Sequence, residues 1–124
     1  MGQQAEQLKR RTMQFALDVC SLIQDLPSGE PGATAKYQLT RASTSVAFNH
    51  RASCRARSHA EFTAKMGTVA EESDEAQGWL DFIEAAGLLH SAELTRLMEE
   101  AKQLTAIMSA SLGTPRNNRR RPEP

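Results

Sequence analysis

Apolar side chains recur along this chain at alternating spacings of three and four, in four separate stretches, and that rhythm restricts the fold more than any other feature. An α-helix turns once in about 3.6 residues, so such spacing lines one helix face, whereas a half-buried strand would alternate every second residue. The first stretch predicts a helix over 4–26 with Leu8, Thr12, Phe15, Val19, Leu22 and Leu26 on its seam, widened by Leu17 and Ile23. A second helix over 33–57 carries Ala35, Leu39, Ala42, Val46 and Asn49, and its small residues from Ala42 to Ser45 permit close approach of a neighbouring backbone. The third has the clearest seam, Phe62, Met66, Val69, Ser73, Ala76, Leu80, Ile83 and Gly87, broadened by Trp79, Phe82 and Ala86, and is expected to be the longest. Leu94, Leu97, Ala101, Leu104 and Met108 define a fourth helix over 92–112.

The breaks between these stretches carry their own chemistry. Pro27-Ser28-Gly29-Glu30-Pro31-Gly32 stops the first helix, because proline lacks a backbone donor and glycine accepts turn dihedrals. Ser58 followed three residues later by Glu61 has the form of a capping box that opens the third helix. Gly87 supplies the left-handed residue that ends it, and Ser91 caps the fourth. Short links between long consecutive helices place neighbours antiparallel, so the expected fold is all-α, an antiparallel up-down-up-down four-helix bundle over 1–113. Residues 114–124, with Arg116, Arg119, Arg120 and Arg121 and no apolar side chain to offset ordering entropy, are expected to form a disordered basic tail.

At 124 residues and 13.6 kDa the chain fits one domain. Its two cysteines, Cys20 and Cys54, offer neither a disulfide scaffold nor zinc-ligand spacing. No apolar run approaches the ~20 residues that span a bilayer, and the start lacks a signal-peptide layout, so no membrane association and a cytoplasmic location are expected. Basic and acidic residues balance at 15 each, which argues against indiscriminate nucleic-acid binding. They are nevertheless segregated: residues 36–65 hold six basic side chains against one acidic, and residues 66–100 nine acidic against one basic. Such blocks suit contacts between neighbouring helices or identical subunits.

The residue types that carry catalysis do not assemble into a constellation. Glu71, Glu72, Asp74 and Glu75 offer oxygen ligands, but no histidine lies one turn away as a bundle di-metal site requires. His50 and Cys54 share a helix face and read as a semi-buried imidazole beside a small buried thiol, without a third group to orient them. No nucleophile elbow or phosphate-cradling glycine loop is present. The expectation is a protein that is not an enzyme and uses no cofactor or metal.

The basic residues divide into groups. If the second and third helices form a hairpin around Arg57 and Ser58, Arg41 lies opposite Asp74, a structural pairing inside the bundle or across a subunit boundary. Arg51, Arg55, Arg57 and Lys65 gather at the hairpin tip, either paired with acidic residues of a neighbouring subunit or holding the phosphates of RNA or DNA. Arg119, Arg120 and Arg121 extend that second possibility as a flexible arm. Asn49, polar on an apolar seam, is expected to be buried with its amide bonded to backbone or a facing helix, fixing register.

Between positions 41 and 83 the order of residues becomes specific: Arg41-Ala42-Ser43-Thr44-Ser45-Val46 with Asn49, Arg51-Ala52, Cys54 to Ser58, Ala60-Glu61-Phe62, Glu71-Glu72, Asp74-Glu75 and Trp79-Leu80. This run resembles the bacterial four-helix bundle proteins that include those encoded in intervening sequences of 23S ribosomal RNA genes. Ala47-Phe48 stand where that family tends to have glycine or proline followed by alanine. The resemblance implies a small bundle that assembles into a ring, typically a homopentamer, with no enzymatic activity. More distantly the run is similar to basic pentameric accessory proteins of retroelements, which bind nucleic acid. The partners it implies are further copies of the chain, with RNA or DNA as the alternative; Arg41, Asn49, Asp74 and Trp79 are the expected structural or subunit contacts.

Overall fold

A computed structural model describes residues 2–120, with side chains to Leu112. Four helices run in chain order: α1 over Gly2–Leu22, extended by a 3-10 turn at Ile23–Asp25, α2 over Gly32–Ser53, α3 over His59–Ala85 and α4 over Ala92–Arg120. No strand occurs among the described residues. Each helix packs on the next and α4 closes against α1, the neighbour relations of a four-helix bundle.

The seams read from the sequence are the core. Phe15, Val19, Leu22 and Leu26 meet Ala35, Leu39, Ala42 and Val46, then Met66, Val69, Ala76, Leu80 and Ile83, then Leu94, Leu97, Ala101, Leu104 and Met108, all nearly sealed from solvent. The ends follow capping chemistry. Ser58 Oγ accepts from the Glu61 amide at 3.0 Å, while the Glu61 carboxylate reaches back to the Arg57 amide at 3.0 Å, one residue before the cap itself. At the other end of α3, Gly87 takes φ of 68°, and the amides of Gly87 and Leu88 return to the carbonyls of Glu84 and Ile83 at 3.0 Å each, a Schellman closure. Ser91 Oγ accepts from the Leu94 amide at 3.1 Å to open α4. Two ion pairs tie the first helix to the last: Arg11 with Glu100, at 2.7 and 2.9 Å in a two-pronged contact, and Arg96 with Asp18 at 2.8 Å.

Several expectations change. Helix α2 stops at Ser53 rather than near Arg57, because the amides of Arg55 and Ala56 turn back to carbonyls three residues earlier and lead the chain into extended Ser58. At that end Phe62 borders an open cleft and is 38% exposed instead of buried in the seam. Gly87, expected on the same seam, is exposed as part of the turn. Helix α4, at 29 residues, exceeds the 27 of α3, because it continues beyond the Leu112 at which the sequence reading ended it. The side chains of 113–120 and all of 121–124 lie outside what is described, and with them the side chains of Arg119 and Arg120 and the whole of Arg121 from the expected tail.

Candidate functional site

Packing consumes the seams and leaves the outer faces of α1, α2 and α3 to define what the molecule presents. On α2, Phe48, Arg51 and Ala52 follow helical spacing on the side away from the core, and the turn after Ser53 brings Arg55 and Arg57 beside them. Lys65 and Glu61 of α3 complete a groove of about 450 Å³. The structure thus gathers Arg51, Arg55, Arg57 and Lys65 as the hairpin argument expects. Arg57 reaches Glu61 at 3.6 Å; Arg51, Arg55 and Lys65 form no ion pair with another described residue. Phe48 lies among these cations at 58% exposure.

Arg51 also borders a second groove, shared with Lys9, Arg10, Met13, Gln14 and Leu17 of α1. The sequence reading left Arg10 and Met13 unassigned, although the spacing of Arg10, Met13 and Leu17 already placed them on one outward stripe of α1.

The opposite charge collects on α3. Glu71, Asp74 and Glu75 line a groove of about 500 Å³ with Gly78, Trp79 and Phe82. Trp79 is half-buried against the core and meets Phe82 edge-on, with ring centroids 5.3 Å apart, so Phe82 projects outward at 41% exposure. Asp74 is exposed and does not pair with Arg41, contrary to the sequence expectation. Arg41 instead bonds Glu75 at 2.5 Å, Glu72 at 3.4 Å and Gln38 at 3.2 Å. Side chains three apart share a helix face and Asp74 is rotated off it, which hairpin arithmetic by residue number does not resolve. The carboxylate bonds, Glu75 first, hold the Arg41 guanidinium above its ordinary pKa.

Asn49 is half-buried, with its amide donating to the Ser45 carbonyl and hydroxyl at 3.0 Å each. It therefore caps its own helix surface and does not bridge to a facing helix. His50 and Cys54 part company: His50 is 3% exposed, while Cys54 is exposed where a buried thiol was expected. Both line a cleft of about 570 Å³ at the open end of the bundle, with Leu8, Phe62, Met66 and Ile107. Burial, with a smaller contribution from the charge of Lys9, lowers the His50 pKa and favours the neutral ring; its Nδ1 has no hydrogen-bond partner.

None of the helices, over the described residues, is long and apolar enough to cross a membrane. A search among curated proteins gives no match. Among solved structures the chain is similar to a protein of unknown function from the S23 ribosomal protein family of Bacteroides thetaiotaomicron VPI-5482, with a TM-score of 0.76 at 20% identity over 86% of this chain and 98% of that one. At that identity the likeness establishes the fold alone. The family described as 23S rRNA-intervening sequence protein matches residues 5–110, which reaches into all four helices and takes in both charged faces. The chain belongs to the 23S rRNA-intervening sequence protein family.

Proposed function

We propose that the protein is a non-enzymatic, ring-forming homo-oligomer, a homopentamer, whose cellular role is assembly or scaffolding in the cytoplasm. The observation that carries this reading is where the exposed apolar side chains sit. Single exposed apolar residues are ordinary on any surface. Here Phe48, Leu17 and Phe82, at 58%, 56% and 41% exposure, each line a groove bordered by charged residues. An apolar centre with a charged rim is the anatomy of a protein interface.

Replacing Phe48 and Leu17 with glutamate puts charge at two of these centres without touching the core. Sedimentation velocity is expected to show a folded monomer with unchanged helical circular dichroism. Assembly of the variant at wild-type size would overturn the reading.

A second reading is an oligomer that binds RNA or DNA through the groove of Arg51, Arg55, Arg57 and Lys65. Phe48 between those cations favours it, since an aromatic face can stack on a base while the cations hold phosphate. Filter retention of mixed RNA and DNA, strong at low salt and lost steeply as salt rises, is the expected signature. Absence of retention at low salt would remove it.

A further inference from the structure

We infer that copies of this chain join head to tail, the basic groove of Phe48, Arg51, Arg55 and Lys65 on one copy receiving the acidic face of Glu71, Asp74 and Phe82 on the next. This rests on the homo-oligomer reading and assigns its two contact surfaces.

The two faces are complementary in charge. Arg51, Arg55 and Lys65 have no ion-pair partner among the described residues of their own subunit, and neither do Glu71 and Asp74. Glu75, on the same acidic face, is already engaged by Arg41, which leaves Glu71 and Asp74 as the carboxylates available to a neighbour. Each face also carries an exposed aromatic, Phe48 on one and Phe82 on the other. Pressing two basic grooves together, or two acidic faces, sets like charges against each other with no counter-ion from the protein. Pressing basic on acidic sets the three free cations against the two free carboxylates and covers both aromatics.

The two faces occupy different places on the subunit. The basic groove is built by the end of α2, the turn after it and the start of α3, and the acidic face by the middle and later turns of α3. A copy that receives one neighbour in its groove still offers its acidic face to another. Such a heterologous contact does not stop at two subunits, and it forms a ring when the rotation per step closes.

Charge reversal tests the assignment, because none of the four side chains forms an ion pair with another described residue of its own subunit. Arg51→Glu with Arg55→Glu, and separately Glu71→Lys with Asp74→Lys, are each expected to give folded monomers by sedimentation velocity. The chain carrying all four substitutions is expected to assemble again, since the complementarity is restored with its signs exchanged. Pairs that leave the size unchanged would overturn the inference while the oligomer itself stands, and so would a fourfold variant that stays monomeric. A basic-groove pair that keeps its size but loses filter retention of RNA or DNA would reassign the groove to nucleic acid. A wild-type chain that stops at a dimer would refute the head-to-tail contact, and one that is monomeric would defeat the oligomer reading along with it.

Discussion

Replacing Ser73 with alanine is expected to stabilise the subunit, against the usual trend of core substitutions. Ser73 lies in the middle of α3 at 2% exposure, and its hydroxyl oxygen has no hydrogen-bond partner. A buried hydroxyl stripped of water and left unpaired costs about 1–3 kcal/mol. Alanine removes that cost and adds about 0.5 kcal/mol of helix propensity, while the lost oxygen leaves a void smaller than a methyl group, worth at most about 1 kcal/mol. The net expectation is roughly 1 kcal/mol of added stability. Ser43 provides the control. It is equally buried on α2, but its hydroxyl donates to the Thr40 carbonyl at 3.2 Å. There alanine forfeits a hydrogen bond worth about 1 kcal/mol and recovers about half of it as propensity, for a small net loss. Urea unfolding at one protomer concentration reads both, through the midpoint at unchanged slope. Ser73→Ala at or below the wild-type midpoint, or indistinguishable from Ser43→Ala, would show that the buried Ser73 hydroxyl carries no such penalty.

Other perturbations follow from the same geometry. A Cβ at Gly32 would run into the Pro27 carbonyl oxygen at the start of α2, so Gly32→Ala is expected to lose about 1–3 kcal/mol, measured as a lower thermal midpoint. Arg41 and Glu75 meet at 2.5 Å but are 39% and 42% exposed, so a double-mutant cycle should give a coupling of only about 0.5–1 kcal/mol, shrinking as salt is added. Burial lowers the His50 pKa below its ordinary 6.5, so the unfolded chain takes up a proton that the native chain refuses. Stability present above pH 6.5 is therefore expected to fall as pH drops below that value, until the folded ring also protonates. His50→Leu should flatten that part of the urea-midpoint profile, and an unchanged slope with pH would show that another group is responsible.

Most of the bundle was legible because a helix forces one period on everything that packs. Leu39, Val69, Leu80, Leu97 and Met108 could occupy no other face once their spacing was read, and the structure buries them completely or nearly so. Ser58, Gly87 and Ser91 were legible for a different reason, since their roles depend on local hydrogen bonds and backbone geometry alone. Phe62 and Cys54 were misread because burial at a bundle end depends on where the neighbouring helix stops. The turn after Ser53 is set by tightened backbone bonds that no single residue type announces. Arg41 was placed correctly on the α2–α3 seam and given the wrong carboxylate, because residue arithmetic fixes height along a hairpin but not rotation about each helix. The clustering of Arg51, Arg55, Arg57 and Lys65 needed only that height. That Arg10 shares a groove with Arg51 required knowing which helix α1 lies beside.

Whether this subunit meets further copies of itself is read from the mass of the intact assembly. Native mass spectrometry of the full chain at micromolar concentration is expected to give one dominant species at five times the 13.6 kDa subunit mass, an odd-numbered ring that two-fold pairing cannot produce. A single species at 13.6 kDa across the accessible concentration range would contradict it.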